Sequence, residues 1–165
     1  MELCHLIVDA GLLICAIVAG IVAYCEYKQK QKTDRAESFS KILMMLRDDP
    51  EIRRFIQDVD YGAFRFNGSF LESEGELIAD KALTKLSYIC YLKDNDLITD
   101  KEFSFFGYEI KRVLSNKDVQ QYFDFIIHFA KEVDGKGDEN VLPDFPFKSL
   151  IEYAKRKRLY TGVER

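Results

Sequence analysis

The stretch LKDNDLITDKEF crowds three carboxylates, Asp94, Asp96 and Asp100, into a few positions. Oxygen ligands at alternate positions are what a calcium loop requires. Such a loop starting at Asp94 would also need glycine at position 99 and glutamate at 105. The chain has Thr99 and Phe105 there. A polar turn ending in a helix cap, with Thr99 and Glu102 in capping-box spacing, accounts for the same residues. His128 is the only histidine outside the apolar N-terminus. A catalytic imidazole needs a nucleophile, a carboxylate or a metal arranged around it. IIHFA offers none, so a histidine packed within a helix is expected. Cys4, Cys15, Cys25 and Cys90 show no CxxC or Cys/His ligand spacing, and no zinc or other metal site is expected. There is no phosphate-cradling glycine loop, and the carboxylates are too many to single out a hydrolytic pair. The chain is expected to be no enzyme and to need no cofactor.

Basic residues cluster at two places. Lys28, Lys30, Lys32 and Arg35 stand against Asp34, a balance of +3 over residues 28–35. Residues 148–165, which include Lys155, Arg156, Lys157 and Arg158, balance at +4, whereas 36–147 hold 14 basic and 22 acidic residues. An acidic body without interleaved aromatics at its basic end argues against a nucleic-acid partner. Anionic lipid headgroups attract each nearby Lys or Arg by about 1 kcal/mol, so both basic segments are candidate headgroup or partner contacts.

These charges flank an apolar run. LIVDAGLLICAIVAGIVAY, residues 6–24, holds 19 residues with one charge, Asp9. As a helix it is roughly 28 Å long, near the thickness of a bilayer's hydrocarbon. Ten Leu, Ile and Val residues each favour insertion by ~0.3–0.6 kcal/mol, against ~2.5–3.5 for an Asp at mid-membrane. The apolar sum exceeds that cost, and Asp9 lies off-centre. A transmembrane anchor is therefore expected over 1–27, followed by a juxtamembrane collar over 28–35. The basic flank places the C-terminal side in the cytoplasm and the N-terminus outside. Gly11, Cys15, Ala19 and Ala23 recur every four positions, with Ala16 and Gly20 beside them. A stripe of small residues lets two backbones approach, and an acid in lipid seeks a partner, so Asp9 and these six residues are candidates for self-association into a homo-oligomer.

Helical spacing dominates residues 36–165. Phe39, Ile42, Leu43 and Leu46 share one face. Asp49 and Pro50 cap and start a second helix that Gly62 ends. Ser73 and Glu76 open a third with Ile78, Ala82, Leu86, Ile89 and Cys90 inward. Thr99 and Glu102 open a fourth with Phe103, Phe106, Ile110, Val113 and Leu114 on one face. KDVQQYFDFIIHFAKEV is apolar around most of its circumference, which marks a central helix. DGKGDENVLPDFP reads as a loop, and FKSLIEYAKRKRLY as a basic amphipathic helix. AFRFNGSFL alternates around an Asn-Gly turn but is too short for a hairpin. It is expected to be a loop with Phe64, Phe66 and Phe70 packed inward; the alternative is an exposed aromatic contact loop. The fold class is all-α: one transmembrane helix and a cytosolic bundle of about five to six helices.

The layout, with YLKDNDLITDKEFSFFGYEIKRVLSNKDVQQYFDF in its domain, resembles a loose class of bacterial single-span, membrane-anchored helical domains of unknown function. Some of these lie near phage-defence genes. The resemblance covers mainly 77–130 and implies an inner-membrane location; it assigns no functional residue. The functional expectation is a protein-interaction module, a sensor, adaptor or accessory subunit, with lipid and a protein as partners. The alternative is a membrane-active effector that oligomerises through its span.

Overall fold

Neither glycine nor proline occurs between Gly20 and Pro50, and that stretch is rich in Gln, Lys, Ala and Glu. Strong helix formers without a breaker propagate a helix. In the computed structural model, helix α1 accordingly runs unbroken over Glu2–Arg47. The backbone is described for residues 2–134 and 145–160, and side chains for residue 15 and for 17–132 and 145–160. All elements among the described residues are helical: α2 (Pro50–Asp60), α3 (Glu74–Asp94), α4 (Asp100–Phe103), a 3-10 turn (Ser104–Phe106), α5 (Gly107–Ser115), α6 (Lys117–Asp134) and α7 (Lys148–Arg156). They fall into two units, residues 1–41 and 42–165.

The first unit holds α1 up to Lys41, and the last turns of α1 belong to the second. The basic residues 28–35 and the face of Phe39, Ile42, Leu43 and Leu46 lie on this one continuous helix. Its surface carries local pairs, Gln31 Nε2 donating to the Tyr27 hydroxyl at 2.8 Å and Lys41 meeting Glu37 at 2.7 Å. Among the described residues no helix is long and apolar enough to cross a membrane. Of the expected span 6–24, residues 6–14 and 16 lie outside those whose side chains are described.

In the second unit α3 packs against α2 and α7 and is the core element. Ala79, Ala82, Leu83, Leu86, Ile89 and Cys90 are fully buried along it. The apolar circumference of α6 pointed to that helix instead, and the structure corrects this. Val119, Tyr122 and Phe123 of α6 are fully buried, but Phe129 is 55% exposed. Among the described residues its fully buried positions lie in the first half only, which periodicity does not register. The single helix expected after Thr99 is also divided. A 3-10 turn eclipses positions three apart, so Phe103 and Phe106 fall on one side and both are buried.

Caps set the boundaries. Asp49 accepts from the backbone of Glu51 and Ile52 with Pro50 in the first turn, and Thr99 with Glu102 completes a capping box. Ser73 accepts from the Glu76 N–H, but Glu76 reaches back to the N–H of Glu72, one residue beyond the expected box. Three helices end in Schellman geometry. After α2, Gly62 (φ 66°) donates to Val59 O and Ala63 to Asp58 O. After α3, Asp96 (φ 55°) donates to Lys93 O and Leu97 to Leu92 O. After α7, Arg158 (φ 55°) donates to Lys155 O and Leu159 to Ala154 O. The left-handed position suits glycine, and a residue with a Cβ costs roughly 1–2 kcal/mol there. Arg158→Gly removes that cost but gives the unfolded chain more freedom, so it is expected to raise stability by about 1 kcal/mol. Urea unfolding of the full chain measures it, with Gly62→Ala as the opposite case, falling by a similar amount.

Candidate functional site

The part of α1 that lies in the first unit is exposed along most of its described length. Cys15 and all residues from 17 to 38 are exposed. Ile17, Val18, Ile21 and Val22 are 50–58% exposed. At 100° per residue these four cover about 140° of the helix, and Cys15, Ala19 and Ala23 fall on the arc beyond it. The small stripe therefore begins at the edge of the aliphatic face and runs away from it. Asp9, Gly11 and Ala16 lie outside the residues whose side chains are described. Gly20 has open space around its Cα hydrogen position. Lys28, Lys30, Lys32 and Arg35 are exposed below the apolar segment, with the Lys28 ammonium 5.1 Å from the centre of the Tyr24 ring.

The second basic cluster is not one helical face. Lys155 and Arg156 end α7, Lys157 is its C-cap, and Arg158 turns into the left-handed region. All four are exposed, but Arg156 is held by Asp94 at 2.5 Å and Lys157 lies over the Tyr153 ring at 5.9 Å.

The aspartates of 94–100 have structural partners. Asp94 binds Arg156, Asp96 occupies the turn after α3, and Asp100 starts α4 with Lys93 at 3.2 Å. Among the described residues no group of His, Cys, Asp and Glu is arranged to hold a metal ion. The expectation for His128 is corrected: its side chain is 74% exposed, with Nδ1 3.4 Å from Glu132, because the second half of α6 leaves the core. Cys90 is buried, and burial pushes its thiol up to about 12, so it stays protonated and unreactive.

Phe64 and Phe70 are buried and Phe66 is half-buried. Their rings form an edge-on chain from Phe55 through Phe64 to Phe70, each step 5.3 Å, and Phe66 lies 5.5 Å from Tyr122. Asp118 accepts from the Phe66 N–H at 3.1 Å and pins the loop to the start of α6. The inward reading of this loop holds.

Sequence reasoning missed two features. One is a half-buried polar knot. The Tyr122 hydroxyl donates to Asp80 at 2.5 Å, with Glu76 at 3.3 Å. Burial raises the Asp80 carboxyl above its usual 3.8; the Tyr122 hydrogen bond opposes this and the charge of Glu76 adds to it. Tyr122 itself is raised, by burial first and then by Asp80. Only the fold brings these residues together, 42 and 46 positions apart in sequence. The other is a cleft of about 230 Å³ in the second unit, lined by Leu43, Leu46, Arg47, Arg53, Ile56, Gln57, Phe105, Phe106 and Glu109.

No family model, no curated protein and no solved structure matches the chain.

An acid whose folded pKa is raised binds more protons in the folded state than in the unfolded state between the two values. Its contribution to stability is thus lost as pH rises from the unfolded value through the folded one. Asp80→Asn keeps an acceptor for Tyr122 and removes this titration. The variant is therefore expected to gain stability relative to the parent as pH rises above about 3.8. Unfolding curves at several pH values check this; parallel pH profiles would contradict it.

Proposed function

We propose that the chain is a single-span, membrane-anchored helical module that binds another protein through its C-terminal unit, as a sensor, adaptor or accessory subunit. One observation carries the membrane part. An unbroken helix exposes Ile17, Val18, Ile21 and Val22 together while the second unit has a core of its own. Apolar side chains on a helix with nothing against them call for an apolar surrounding. The length and composition of residues 6–24 fit a bilayer, in which a helix satisfies every backbone group internally. The basic residues 28–35 fit the cytoplasmic interface of an inner membrane, which leaves the N-terminus outside.

The interaction part is supported by the surface of the second unit. Tyr88 and Tyr91 stack at 6.5 Å on an exposed face of α3, in line with Leu77, which is 71% exposed. Tyr108 and Phe105 are exposed on and beside α5. Exposed aromatics of this kind are enriched in protein interfaces.

Expressed in bacteria, the full chain is expected to resist alkaline carbonate extraction and to leave the membrane only with detergent. A membrane-impermeant maleimide is expected to reach Cys25 only after the cells are opened. A chain found in the carbonate supernatant contradicts the anchor, and labelling of Cys25 on intact cells contradicts the orientation. Depolarisation of the cells on induction, relieved by Ala19→Leu, would instead mark a membrane-active effector.

A further inference from the structure

The cleft described above lies within the unit of residues 42–165, between the end of α1, α2 and the start of α5. Leu46 and Phe106 are buried in it, and Leu43 and Ile56 are half-buried. Phe105 lines it while 52% exposed, and Met44, next in the chain to Leu43 and Leu46's near neighbour, is 57% exposed. At about 230 Å³ the cleft is smaller than the roughly 300–1,000 Å³ of sites that enclose whole small molecules. It matches one large apolar side chain, and interfaces concentrate their energy in single anchors seated in such hollows.

The charge around it is selective. Arg54, Arg65, Arg112 and Arg156 each meet an aspartate: Asp58, Asp118, Asp60 and Asp94. Arg47 and Arg53 line the cleft, are exposed, and have no ion pair among the described residues. In a body of 14 basic and 22 acidic residues, two such guanidiniums beside an apolar hollow form a local positive rim. Glu109 reduces it by one charge. Its Oε2 is occluded and lacks a hydrogen-bond partner among the described residues, so the wall also carries an unfulfilled acceptor. An entering backbone N–H removes that cost after a side-chain rotation.

We propose that this cleft receives a Phe, Leu or Met of a partner protein, from a segment whose adjacent residues are Asp or Glu. The proposal rests on the interaction-module reading and names the surface it uses. The anchor fills the hollow of Leu43, Leu46, Ile56 and Phe106, and the neighbouring carboxylates meet Arg47 and Arg53. Like-charged segments are rejected by the same rim.

The test is selection of a displayed library of short random peptides on the full chain in nanodiscs of zwitterionic lipid. Enriched peptides are expected to carry one large apolar residue next to Asp or Glu. Their affinity should fall roughly tenfold in a variant with both Arg47→Glu and Arg53→Glu. Both residues are exposed, so the variant keeps its fold; Ile56→Trp, which fills the hollow, is a second block. No enrichment, basic consensus peptides, or affinities unchanged by the two charge reversals would overturn the proposal. So would a site that binds N-acetylphenylalanine but enriches no peptide. Peptides that bind elsewhere would sink the cleft and leave the interaction module standing, whereas carbonate extraction of the chain would sink the anchor and leave the cleft untouched.

Discussion

What organises this protein is the aversion of one helical segment to water. Ile17, Val18, Ile21 and Val22 each stand about half exposed on α1. Fully burying a side chain of this size is worth roughly 1.5–3 kcal/mol, so leaving four together in water forgoes several kcal/mol. The second unit has no need of them: its core closes on α3, with α2 and α7 against it. Under the proposed anchoring, a bilayer would supply the missing surrounding without asking for any tertiary contact, because a helix meets its own backbone hydrogen bonds. The same physics gives the charge pattern meaning. In that proposal the lysines and arginine directly after the apolar segment would stop it at the headgroups.

The second unit uses its acidic excess structurally. Lys81 sits between Asp49 and Glu51, at 2.7 and 2.5 Å, and ties α3 to the start of α2. The Lys81 hydrogen bond holds the Asp49 carboxyl below its usual value, and Asp49 also caps α2. Arg112 binds both the side chain and the carbonyl of Asp60, joining α5 to the end of α2. Gln120 donates to Leu114 O and Leu159 O and fastens the segment after α7. The Ser87 hydroxyl, buried in α3, accepts from the Leu150 N–H at the start of α7. Exposed pairs of this kind add little stability singly, but they fix which helix ends meet. Arg47 and Arg53 stand out because this pattern passes them by.

Much of the bundle was legible because its signals are local. Caps at Asp49, Ser73 and Thr99, the stop at Gly62, and the inward set Phe103, Phe106, Ile110, Val113 and Leu114 are written within a few residues of where they act. Features that depend on distant partners were not. Periodicity showed that α6 is apolar around most of its circumference but not that its second half leaves the core, and so misplaced both the central helix and His128. It could not show that the end of α1, α2 and α5 enclose a cleft, since its walls come from segments up to 66 residues apart. The basic run 155–158 looked like one patch because the turn at Arg158 needs a positive φ that its side chain does not announce. The acidic cluster at 94–100 was legible as a polar turn ending in a cap because the capping box of Thr99 and Glu102 is local.

The chain contains no tryptophan, so a single introduced indole reports its own surroundings. In vesicles containing lipids brominated along the acyl chain, a Val18→Trp variant should lose most of its fluorescence relative to unbrominated vesicles. A Leu77→Trp variant, on the exposed face of α3, should keep it. Equal and full fluorescence from both variants would contradict the account, because it would put residue 18 outside the hydrocarbon.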